Sequence, residues 1–329
     1  MAGKTDRDVN QENRGVTQER PHPALSRKRE RGKVRAREVK RLRRYNRASN
    51  KTKNTESDRV PAKLAPDRNR GLIIACGVVG DDDRSSALLL RLVALVGAQP
   101  RVVIVAANDP GEELDSDFET TLYSAGAAEV HRQLIAARAD CERRSLLDAC
   151  EHAHLVILQA DQPLRLSTLI GGTLLARAIR RRNADGLAVA GCGAGAAVLC
   201  EHMLAHGSEG PTPRVGGASL APGLGLTNRV VIDQGGHASD RIGRLLAALA
   251  LNPFALGLGI DSDTAAVIGP DNSLEVIGAG GVTVIDPAEM AESNAAELTP
   301  GAPIRITNLR LHSLTGGTRY DLDFRRALA

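Results

Sequence analysis

From Gly71 onward, short apolar runs alternate with amphipathic segments, and this alternation constrains the fold more than any other feature. GLIIACG (71–77), RVVIVAA (101–107), LVILQ (155–159), GLAVAG (186–191), RVVID (229–233) and LGLGID (256–261) are too short for core helices. Runs this apolar read as strands buried on both faces, the pattern of a parallel sheet. Helices are expected between them. The first is capped by Asp83 or Ser85, carries Leu88, Leu92 and Leu95 on its apolar face, and closes at Gly97. Others are expected at 142–153, 165–182, 194–204 and 239–250, and Arg180, Arg181 and Arg182 suit a helix C-terminus. TAAVIG, LEVIG, VTVID and IRITNLRL near the C-terminus read as strands in antiparallel hairpins. The expected fold is α/β: a mostly parallel sheet with helices on both faces and antiparallel strands at its C-terminal end. In such sheets ligands sit at the carboxyl ends of the strands, so that is where chemistry is sought.

One carboxyl end stands out. Gly191-Cys192-Gly193-Ala194-Gly195 follows an expected strand and opens an expected helix. That is the outline of a nucleophile elbow, a sharp turn that lifts one side chain above the sheet and aims backbone N–H groups at a developing oxyanion. Here the lifted position is Gly193, which has no side chain.

Around this turn the sequence resembles the cyanophycinase family. The resemblance spans roughly residues 71 to 287 and runs through blocks in order: Gly71 to Arg84, Gln159-Ala160-Asp161-Gln162, Gly191 to Ala196, Asp233 to Leu245, Gly259 to Ala265, and Val276-Ile277-Gly278 through Val284 and Asp286. The resemblance implies a class I glutamine amidotransferase-like fold. It also implies a serine-type peptidase that releases β-Asp-Arg dipeptides from cyanophycin, a polyaspartate carrying arginine branches, and a homodimer. No cofactor or metal is implied. The departures fall on the working residues. The family's serine, histidine and glutamate correspond to Gly193, Gly235 and Ser262, and one of its arginines to Ser239. Gln162, Asp233, Gln234, Arg241 and Arg244 match positions that line the family's substrate cleft, and Asp261 and Thr264 are also kept.

Loss of one triad member removes most of the rate, so covalent serine catalysis by the usual route is not expected. The leading expectation is a non-catalytic protein that binds cyanophycin, a β-aspartyl peptide, or an active relative. An active hydrolase would need a displaced nucleophile. Cys192, one residue before the elbow position, and His237, two past the histidine position, form the candidate pair. Against it, one step along the turn points Cys192 away from the reaction locus. Arg241 and Arg244, three apart on a helix, suit bidentate carboxylate binding. Ion pairing with a local Asp such as Asp240 is the plainer alternative. Asp81-Asp82-Asp83 reads as a helix cap rather than a metal site.

Composition divides the chain. Residues 1–70 hold 22 Lys and Arg against 9 Asp and Glu, whereas residues 71–329 hold 21 against 30 and contain no Lys. The first part shows no sustained apolar period and reads as a solvated basic tail, densest at 27–47. An arm binding nucleic acid or another anionic polymer through phosphate contacts is the functional alternative, and a misassigned start is a third. The second part is the α/β domain. No run reaches the ~20 apolar residues of a membrane helix, and MAGKTDRDVN lacks the apolar core of a secretory signal. Cys76, Cys141, Cys150, Cys192 and Cys200 are widely spaced, as for free thiols in a reducing cytoplasm, and neither Cys nor His shows zinc-ligand spacing.

Overall fold

The computed structural model describes residues 69–80, 82–107, 116–234 and 238–328. The basic segment therefore lies outside the described residues except at its end. There Arg70 Nε donates to Asn183 Oδ1 at 3.1 Å, and burial lowers the Arg70 pKa to about 10.

The alternation read from the sequence is realised as follows. β1 (Ile73–Cys76) leads to α1 (Asp83–Leu95) and β2 (Arg101–Ala107); α2 (Ser116–Ser124) leads to β3 (Glu129–Leu134). A 3₁₀ turn (Arg138–Glu142) and α3 (Arg144–His152) precede β4 (Leu155–Ala160). Then come α4 (Pro163–Ile170), α5 (Leu174–Ala184), β5 (Ala188–Gly193) and the short α6 (Ala194–Val198). These five strands pair in parallel in the order β1-β5-β4-β2-β3. Their side chains alternate between two cores. Ile73, Ala75, Val103 and Val105 enter one, and Ile74, Cys76, Ile104 and Cys192 the other. Burial on both faces explains why the runs are continuously apolar.

The rest of the chain is a hairpin of β6 (His202–Gly207) and β7 (Ala218–Pro222), then β8 (Val230–Gln234), α7 (Ala238–Leu251), β9 (Leu256–Ile260), β10 (Thr264–Ile268), β11 (Ser273–Gly278) and β12 (Gly281–Asp286). β13 (Glu292–Ser293), β14 (Ile306–Thr307), β15 (Arg310–Thr315), β16 (Arg319–Asp321) and β17 (Arg326–Leu328) complete it. β10, β11, β16 and β17 extend β1 antiparallel into a nine-stranded sheet. The expectation of an α/β fold with C-terminal antiparallel strands holds. RVVID and LGLGID do not continue the parallel sheet, however. As β8 and β9 they form a second, four-stranded sheet with β12 and β15.

Local expectations need correction in three places. Asp82, not Asp83, caps α1, its carboxylate accepting from Arg84 N at 3.1 Å and Ser85 N at 2.9 Å. Those backbone bonds hold its pKa below the usual carboxylate value. The helix expected over 165–182 is two helices, broken at Gly171-Gly172, where Gly172 takes φ +72° and Thr173 caps the second. The helix expected over 194–204 ends at Val198. Leu199 and Cys200 turn their carbonyls to Leu226 N at 2.9 Å and Gly225 N at 3.1 Å instead of continuing it.

Candidate functional site

The elbow forms where the sequence places it. β5 lies between β1 and β4, with Cys192 opposite Cys76 and Gly193 opposite Ala160. Gly193 then turns with φ +54° and ψ −128°, and α6 starts at the next residue. A side-chain-bearing residue is strained at such a φ; glycine is not. The turn is nevertheless tightly held. Gly193 N donates to Gly77 O at 3.1 Å. A Cβ on Gly195 would lie 2.1 Å from Leu158 O, so α6 sits against β4 at a distance only glycine permits. A Cβ on Gly193 would meet no heavy atom within 4 Å. The elbow thus has the backbone of a nucleophile turn and open space at the position such a turn presents.

Gly77 also gathers the next segment. Its N–H donates to Thr264 O at 2.9 Å, and a Cβ on it would meet Asp261 O and, at 3.2 Å, Ser262 Cα. The buried Thr264 hydroxyl donates to Ser262 O at 3.1 Å and accepts from Gly280 N at 2.8 Å. Asp261 accepts from Gly281 N at 3.0 Å. Asp263 takes φ +55° and accepts the Ser85 hydroxyl hydrogen bond. Gly193 and Ser262, two positions paired only by resemblance, are therefore both neighbours of Gly77. Gln162 reaches the same edge from the other side, exposed at the start of α4 two residues past β4. Ser85 and Asp263 escaped the sequence reading as partners, because a hydrogen bond across this separation leaves no local pattern.

The charged positions behave differently. Asp233 is 5% exposed, on β8 opposite Gly259. Arg244 Nε donates to its Oδ2 at 2.7 Å, and Arg244 Nη2 donates to its Oδ1. The two groups form a buried bidentate pair with each other. Arg244 therefore does not present a free fork beside Arg241 as the sequence suggested, and its partner is Asp233. Arg241, three residues earlier, reaches Glu209 Oε1 at 3.3 Å from the hairpin loop. The cavity between Asp233 and Arg241 holds about 10 Å³, room for one water. Gln234 contributes backbone to β8; its side chain, Gly235 and His237 lie outside the described residues.

Cys192 is 5% exposed and packs into the core on the Cys76 side of the sheet. A hydrogen bond between the two thiols, with burial second, pushes the Cys76 pKa well above its usual value. Burial likewise lifts Cys200 to about 12. All five cysteines are free and buried, the setting of inert thiols rather than of thiolate nucleophiles. Among the described residues no group of three or more His, Cys, Asp or Glu could hold a metal ion, and no helix is long and apolar enough to cross a membrane.

A glycine-flanked elbow at the carboxyl end of a central parallel strand defines a hydrolase-type α/β scaffold. Residues 115–276 match the family model of Peptidase family S51. The chain is 33% identical over 267 residues to the cyanophycinase of Trichormus variabilis, covering 80% of this chain and 89% of that protein. It is 34% identical over 257 residues to the cyanophycinase of Synechococcus elongatus, covering 77% and 80%. The crystal structure of a peptidase from an acI-B1 Actinobacterium superposes with a TM-score of 0.56 at 18% identity, covering 77% of this chain and 98% of that one, which shows a common fold. The chain belongs to peptidase family S51, alongside cyanophycinases.

Proposed function

We propose that this member of the family binds cyanophycin or β-Asp-Arg peptides and does not cleave them by a covalent serine route. One observation carries the reading. The elbow keeps its strained-type turn and its open position, yet the residue there is Gly193. The hydroxyl that would attack is missing, and the replacement is the one residue that occupies φ +54° without cost. The names of the relatives supply the ligand class. Gln162 and Arg241 are the cleft positions whose side chains stand at the surface or partly so. Asp233 and Arg244 support the wall by holding β8 to α7.

A displaced Cys192 nucleophile is disfavoured, since its thiol faces Cys76 in the core on the far side of the turn. The pairing with an active relative or a second copy, and nucleic-acid binding by residues 1–70, belong to the same set of proposals and need the full chain. The test is calorimetry with the β-Asp-Arg dipeptide and co-sedimentation with insoluble cyanophycin. Saturable binding that weakens in a Gln162→Ala/Arg241→Met variant supports the reading. Absence of saturable binding to either ligand overturns it. An activity-based fluorophosphonate or iodoacetamide probe is expected to leave residues 191–196 unlabelled.

A further inference from the structure

The strands β2 and β3 begin side by side at the end of the sheet opposite the elbow, with Arg101 next to Glu129 and Val103 next to His131. The C-terminal turn of α3 passes over them. Between these elements is an open cavity of about 340 Å³ lined by Arg101, Val103, Glu129, His131, Asp148 and His152. That volume falls in the range of small-molecule sites.

The polar side chains around this cavity are exposed except for His131, which is half-buried, and most of their polar atoms lack a partner among the described residues. Arg101 Nε donates to His152 O at 2.8 Å, which fixes the guanidinium on one wall. Its terminal nitrogens have no partner among the described residues, and neither does the Glu129 carboxylate. His152 Nδ1 lies 2.8 Å from Asp148 O; a carbonyl only accepts, so Nδ1 is the donor there and Nε2 faces away from that contact. His131 Nε2 is a buried atom with no hydrogen-bond partner. Asp148 touches Arg144 at 3.4 Å, but the two side chains are 59% and 91% exposed, so this pair is weak and easily exchanged.

The charges select a ligand class. Glu129 and Asp148 would repel a phosphate or other pure anion. Arg101 would repel a simple cation, and no metal-holding cluster exists among the described residues. A zwitterion answers both signs. We propose that this groove is a second small-molecule site, taking an amino acid with a cationic side chain. Arg101 holds its carboxylate, and Glu129 and Asp148 hold its guanidinium or ammonium group. A guanidinium matches two carboxylates through its fork of N–H donors. The strands are parallel, so a ligand here sits at the amino ends of β2 and β3 and does not compete with one bound at Gly193. The proposal therefore stands independently of the cleft reading.

The experiment is calorimetry of the full chain with L-arginine, and with agmatine, which keeps the guanidinium and lacks the carboxylate. Saturable binding of L-arginine is expected, about tenfold weaker for agmatine and about tenfold weaker in Glu129→Gln, as befits loss of one charge-assisted contact. Glu129→Gln lies on an exposed edge strand and is expected to melt with the parent. Arginine titration should also move the imidazole NMR signals of His131, a readout that needs no variant. No saturable heat with L-arginine overturns the proposal. So does binding that Glu129→Gln and agmatine leave unchanged, with His131 unmoved.

Discussion

The elbow at the end of β5 and the charged pair between β8 and α7 differ in what backbone and side chains each supply. At the elbow residue 193 has no side chain, while the backbone is held in a sharp turn: Gly193 turns at φ +54°, and Gly195 lies against Leu158. At β8 the side chains that match the family's cleft are present, but Asp233 and Arg244 are committed to each other. The comparison teaches that neither kept geometry nor kept residues alone reports function. The elbow backbone is held by packing that needs no side chain at residue 193. A charged residue can be kept because removing it would strand its partner in the core.

The sharpest way to break this comparison is to remove one member of the pair. Arg244→Met leaves the Asp233 carboxylate buried and uncompensated and is expected to cost about 3–5 kcal/mol in urea unfolding; a loss below about 1 kcal/mol would show that the pair is free to serve a ligand. Next is Gly195→Ala, whose new methyl meets a backbone carbonyl that cannot swing aside; a cost of about 3 kcal/mol, at the upper end of overpacking, is expected by thermal melting. Gly193→Ser should be milder. Its side chain enters open space, so only the positive φ counts, at about 1–2 kcal/mol. A cost as large as that of Gly195→Ala would mean the open position is not open. Arg241→Met removes a partly exposed ion pair and should change stability by less than about 1 kcal/mol. At the smallest end, thiol titration with a disulfide reagent at pH 8 should label no cysteine in the native protein. Cys150 and Cys200, raised to about 12, stay protonated there, and the reagent cannot reach the buried sulfurs; one rapid equivalent mapped to Cys192 would revive the thiol as a nucleophile.

The parallel core was legible because each of its long apolar strands is buried on both faces, and the elbow because glycine spacing and strand–helix context coincide. What escaped has physical reasons. β3, with the sequence EVHRQL, is the edge of its sheet and carries no apolar run. The β6–β7 hairpin hid behind a helical-looking start, since the bonds that stop α6 come from residues 223–227, far from any local signal. The split of β8, β9, β12 and β15 into a second sheet is a matter of pairing, which apolar runs do not encode. At the site, the arginine spacing was read correctly as sharing a helix. Burial decided what each arginine does, and Asp233, not a neighbour on that helix, took up Arg244.

The central claim is an intact elbow without a nucleophile, and one measurement meets it directly. Purified full-length protein is incubated with cyanophycin, and soluble β-Asp-Arg is followed while the protein bound to the insoluble polymer is assayed. The account predicts bound protein and no dipeptide above the blank. Dipeptide release by the unmodified chain would contradict it and show that a group other than a residue-193 side chain carries out the attack.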